Sequence, residues 1–168
     1  MQRPIRPRWL LRQATELTGE GRGQPRNADL RRAASAAYYA LFHAISLETT
    51  RHVLPDASSA EIQEASRLVA HSSVRDVCGY VSGATPPKRI APIVDRLRGN
   101  RPVSTVATSF LSLNEAREEA DYDHLADFTR PRVRALIVSA STSVATLTAD
   151  ERPGAFGSFL GLIALRVR

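Results

Sequence analysis

The sequence predicts an all-α protein, an antiparallel up-and-down helical bundle, and three observations carry that expectation. Apolar residues recur every three or four positions, the spacing of a helix face and not of a strand. Alanine is abundant while aromatic residues make up only 6%, which favours closely packed helices over a β-sandwich. Turn-forming residues gather in short stretches, "GEGRGQPRN" (19–27), "LPDASS" (54–59), "SGATPPKR" (82–89) and "RGNRPVS" (98–104), so long helices meet through short loops.

The elements follow in order. A first helix covers residues 8–17. A second runs from about 29 to 53, with Asn27 as N-cap and Pro55 as stop. The third starts after Ser58, where Glu61 stands at the capping-box spacing; it breaks near Ser72 and continues to Val81. A short piece over 90–97 precedes a long helix over 104–128. In "TRPRV" (129–133) Thr129 caps a last helix that reaches about Thr148, and Pro131 fits its first turn. Residues 1–24 then form an N-terminal helix and Gly/Pro loop, 25–149 the bundle, and 150–168 an apolar tail. Whether that tail docks on the bundle, covers a dimer seam or meets a partner is left open by its composition.

Hydrophobic residues at 43% and charged residues at 24% describe one ordinary globular domain. The net charge is +6, and Lys88 is the only lysine among 23 basic residues. Arginine-rich composition fits a high-GC genome, and it also fits a polyanionic partner, since guanidinium forks match phosphate oxygens two at a time. Cys78 is alone and the four histidines have no zinc-type spacing, so no disulfide, metal or cofactor is expected. The most apolar stretch, "FGSFLGLIAL" (156–165), is about half of what a membrane span needs. The expectation is a cytoplasmic chain without a membrane segment.

Two helices carry the functional information. In "RRAASAAYYALFHAI" (31–45) the bulky residues are spread around the cylinder, the mark of a helix buried on most sides. Its alanines allow close neighbours. Arg31 and Arg32 sit in the first turn, where the helix dipole disfavours cations, which suggests an RNA or partner contact or a salt bridge. His43 reads as a hydrogen-bonded core histidine or as a further contact residue. In the later helix the row Val106, Phe110, Leu113, Arg117, Ala120, His124, Phe128 steps by threes and fours along one face. Seven residues come to about 700°, about 20° short of two turns, so Arg117 and His124 are expected to project from the stripe that Phe110 and Leu113 use to meet the core. Glu115, Glu118 and Glu119 take the solvated face. Arg117 and Asp121 also have the spacing of an intrahelical ion pair, and Tyr122 lies off the stripe and is expected to pack.

These two helices resemble those of the HEPN family of helical-bundle domains. "RRAASAAYYALFHAI" is similar to that family's early signature helix, and "REEADYDHLADFTRPRV" (117–133) to its "R-x-x-ADY" helix and following turn. "AHSSVRDVC" (70–78) is similar to the segment between them in the small stand-alone bacterial members. The resemblance covers roughly residues 25 to 148 and implies a bundle that pairs as a two-fold homodimer. It also implies a metal-independent endoribonuclease marked by Arg, four to six residues, then His, acting as a toxin beside a nucleotidyltransferase-type antitoxin or in RNA-directed defence. Arg117 and His124, with six residues between them, fit that spacing. Glu118 departs from the Asn, Asp or His usual after the arginine in active members. On this reading His124 is the acid or base, Arg117 the phosphate-binding cation, and Asp121 and Tyr122 support them. In one helix the pair would lie about 10 Å apart along the axis, so the expected site is composite, across a dimer. The competing expectation is a non-catalytic helical module that binds a protein or nucleotide.

Overall fold

A computed structural model describes residues 6–19 and 23–165. Among these the protein is entirely helical: α1 (Pro7–Leu17), α2 (Asn27–Val53), α3 (Ser59–Ala65), α4 (His71–Val81), α5 (Ala91–Arg98), α6 (Arg101–Tyr122), α7 (Arg130–Leu147) and α8 (Ala155–Ala164). A single 3-10 turn (Ser66–Leu68) follows α3. No described helix is long and apolar enough to cross a membrane.

The centre of the molecule is α2, which touches α1, α6, α7 and α8. Its burial follows from its composition. Ala33, Ala34, Ala37 and Ala40 are wholly buried and keep neighbouring backbones close, while Tyr38, Leu41 and Ile45 fill the space between them. From α6, Val103, Val106, Phe110 and Leu113 pack into the same core. The apolar tail proves to be part of this core: Phe156, Phe159, Leu160 and Ile163 of α8 are buried against α2, α4 and α5. Just before α8, Arg152 donates to Glu48 of α2 at 2.5 Å and to the Leu147 carbonyl at 2.8 Å. Glu48 also pairs with Arg51, so a carboxylate only 8% exposed is held between two guanidiniums.

Local signals place several boundaries where they were expected. Ser58 and Glu61 form the reciprocal capping box of α3. Thr129 accepts from the Arg132 amide at the start of α7, with Pro131 in the first turn.

Other boundaries move. The break after α3 comes at Val69–Ala70, so that His71 opens α4 where a break near Ser72 was expected. Asn27 is the first residue of α2 and not its N-cap. Its side chain instead accepts from the Phe128 amide at 3.0 Å and donates to the Ala126 carbonyl at 3.1 Å, tying the α6–α7 connection to α2.

The long helix ends at Tyr122, six residues before its expected end at 128. Asp123 takes an extended backbone and accepts from the Leu125 amide at 2.9 Å, the local turn that aspartate offers in competition with helix. Arg31, reaching over from α2, then occupies the exposed carbonyls. It donates to Ala120 at 2.9 Å, Asp123 at 2.7 Å and Ala126 at 3.3 Å. The role of Arg31 is therefore to close a helix C-terminus, where a cation and a donor are both favourable.

Candidate functional site

Three elements meet at a polar cavity of about 240 Å³: α2 through Tyr38 and Tyr39, α4 through His71, Ser72 and Arg75, and α6 through Asn114, Arg117 and Glu118. Tyr38 is the anchor. Its ring lies in the core, 5.5 Å from Phe110, and its hydroxyl meets Nδ1 of His71 at 2.7 Å. Burial raises that hydroxyl to about 12, against the opposing pull of Arg117, so it stays protonated. Either the hydroxyl donates to Nδ1 or Nδ1–H donates to the hydroxyl; the first arrangement leaves no buried O–H without an acceptor and puts the proton of neutral His71 on Nε2. The His71 ring also stacks on Phe42, centroids 3.6 Å apart and planes within 12°. First by burial and then by the charges of Arg117 and His43, its pKa is held below the ordinary histidine value, which keeps it neutral near pH 7.

Arg117 is the cation of this cavity. Its side chain is 22% exposed, with Nε 2.9 Å from Oδ2 of Asp121 on the same helix. The Nε–H does not line up with that oxygen, so Nε is buried with an ion-pair partner but no aligned hydrogen bond. At Nη2 it donates to the Tyr39 hydroxyl at 3.5 Å, and its charged carbon lies 5.8 Å from the ring centres of both Tyr38 and Tyr122. Asp121 is held in turn by the Ser35 hydroxyl at 3.1 Å.

The expected residues are distributed unevenly about this centre. Arg117 and Asp121 sit together. His124 does not share their stripe: it lies past the end of α6, exposed in the turn that Asp123 begins. The 100° arithmetic fails because the helix stops two residues short of it. Tyr122, expected to pack, is 71% exposed. His43 is half-buried among rings, with Tyr39 at 6.2 Å and Phe42 at 5.6 Å in place of the expected hydrogen bond, and burial lowers its pKa. Arg32 is exposed along a separate groove between α1 and α2, lined also by Leu10, Gln13, Arg31 and Ser35. Among the described residues no three His, Cys, Asp or Glu side chains gather as metal ligands. Cys78 is fully buried, and burial pushes its thiol far up.

His71 and the two tyrosines were not among the expected site residues. Tyr38 and Tyr39 read as packing in an all-round apolar helix. His71 stands out only once α4 is seen to begin with it. The fold and site thus define an all-α protein with a Tyr–His–Arg cavity at the junction of three helices. No family model, curated protein or solved structure matches the chain.

Proposed function

We propose that the chain is a HEPN-type domain: an antiparallel up-and-down bundle that pairs about a two-fold axis and cleaves RNA without a metal ion. One observation carries this reading. Arg117 is held by Asp121 and Tyr39 at the edge of a polar cavity, a preorganised cation that meets a phosphate without rearranging. Cleavage by the 2′-hydroxyl needs that cation for the charge building on phosphorus, a base for the 2′-OH proton and an acid for the leaving 5′-oxygen. An exposed His124 in the turn after α6 supplies the titrating group to a partner protomer's Arg117, because within one chain the two do not share a face. The resemblance to toxin members makes a nucleotidyltransferase-type antitoxin the matching protein partner, in the cytoplasm.

A second reading, a non-catalytic module for a protein or nucleotide, draws on a specific observation too. The charge of Arg117 is already balanced by Asp121 in the same chain.

The experiment is RNA cleavage by the purified protein in EDTA, beside Arg117→Ala and His124→Ala. Each variant alone is expected to lose cleavage, and mixing the two is expected to restore part of it through hybrid dimers with one intact site. Full cleavage by a monomer removes the composite site. An intact wild type that leaves RNA uncut moves the assignment to the binding module.

A further inference from the structure

We propose that His71 is a second ligating residue at Arg117, so that the cavity between α2, α4 and α6 takes the phosphate group of a nucleotide with its ribose, all within one chain. This deepens the reading above and rests on Arg117 as a phosphate-binding cation, but it adds a residue from outside the Arg–His spacing.

The argument begins with donors. With the Tyr38 hydroxyl donating to Nδ1, the arrangement that leaves no buried O–H unmet, neutral His71 carries its proton on Nε2, the ring nitrogen left without a protein partner among the described residues. Arg117 lines the same cavity and engages Tyr39 at one terminal nitrogen. The Ser72 hydroxyl and the Arg75 guanidinium complete a set of donors from two helices. Glu118 also lines the cavity and opposes an anion. It is exposed, however, and engaged by Asn114 at 3.0 Å.

Size sets the ligand. Pockets for drug-sized molecules begin at roughly 300 Å³, and about 240 Å³ holds a phosphate and a sugar but not a base as well. The group this volume suits is therefore the phosphate with its ribose.

An anion in the cavity also changes the balance around His71. The groups facing it are Tyr38, Tyr39 and His43 from α2, Arg75 from its own helix, and Arg117 and Glu118 from α6. In the empty cavity the charge of Arg117 works against protonation of the imidazole. A bound phosphate offsets that charge and favours the imidazolium, whose Nδ1–H then donates to the Tyr38 oxygen.

The test is NMR of the His71 imidazole in the full-length protein. It is titrated with inorganic phosphate, with adenosine 3′- and 5′-monophosphate, and with an RNA oligomer with or without a terminal phosphate. Saturable movement of the His71 signals is expected, with its titration midpoint raised by bound phosphate. Binding is expected to weaken tenfold or more in Arg117→Gln and His71→Asn, and to be unchanged in Arg12→Gln on the exposed face of α1. A thermal unfolding midpoint for each variant separates lost binding from lost fold. Tyr38→Phe, which frees Nδ1 and leaves both ligating side chains in place, is a second check and should weaken binding less than His71→Asn. Preference for the phosphorylated oligomer assigns the site to RNA ends, and preference for mononucleotides assigns it to free nucleotides. His71 signals that stay unmoved, or equal binding by Arg117→Gln, overturn the inference. RNA cleavage with His71 unmoved by phosphate defeats this inference and leaves the ribonuclease standing, and phosphate binding without cleavage does the reverse.

Discussion

His71 is held by two contacts of different kinds, a hydrogen bond with a buried tyrosine and a stack against Phe42. Both the burial of the ring and the charge of Arg117 pull its pKa down, and burial alone does so for His43. The sign of the consequence is fixed by linkage. A histidine whose folded-state pKa is depressed binds fewer protons folded than unfolded, so its contribution to stability is complete above the unfolded value of about 6.5. That contribution is lost as pH falls through the depressed folded value. Denaturant midpoints are therefore expected to drop as pH falls below about 6.5, and the drop should shrink in His71→Asn. An identical pH slope in the variant would remove His71 as a source. None of this was visible at residue 71 in isolation, because a lone histidine shows neither the tyrosine that meets it nor the arginine that discharges it. Arg117 was legible, since its helical neighbours Leu113 and Ala120 mark its face without help from the rest of the fold.

At the scale of elements, short-range chemistry and long-range chemistry divide the boundaries between them. Ser58 with Glu61, and Thr129 with Pro131, act within a single turn, so their helices begin where those residues stand. The end of α6 does not work that way. Leu125, Ala126 and Phe128 continue a helical pattern past Tyr122, but Arg31 binds three carbonyls in and beyond the last turn and stabilises the chain after it has left the helix. Arg31→Ala is expected to cost about 1–3 kcal/mol, the range for hydrogen bonds to charged groups and for buried acceptors left unmet. Urea denaturation measures the loss, and faster amide exchange at Phe128, whose N–H is bonded to Asn27, localises it. Arg31→Lys should recover only part, since an ammonium cannot span several carbonyls as a planar fork does. Because the position of His124 depends on this stop, the same variant is expected to lower RNA cleavage while leaving Arg117 in place. Unaltered cleavage in a destabilised Arg31→Ala would uncouple the turn from the chemistry.

For the whole molecule, the deciding feature is α8. Its buried Phe156 and Phe159 meet edge to face, 6.3 Å apart, and the Arg152–Glu48–Arg51 cluster fastens the approach to it. Phe159→Ala should lower stability by about 3–5 kcal/mol, the usual cost of emptying a fully packed aromatic site. A thermal or urea midpoint close to wild type would show α8 to be a detachable tail. The same cluster makes Glu48→Gln destabilising, because two guanidiniums then share a neutral acceptor.

The helical class, the central position of α2 and the face of Arg117 can all be read from residue order alone. Each depends on residue spacing and composition within one segment, and a segment can satisfy these alone. Tertiary structure decided where α6 stops, that the tail joins the core, and which residues surround Arg117. Those outcomes depend on groups dozens of residues apart: Arg31 on the carbonyls of Ala120, Asp123 and Ala126, Arg152 on Glu48, and Tyr38 on His71. Hydrogen bonds and ion pairs act only over a few ångströms, so partners distant in sequence are chosen by the packing of the helices that carry them.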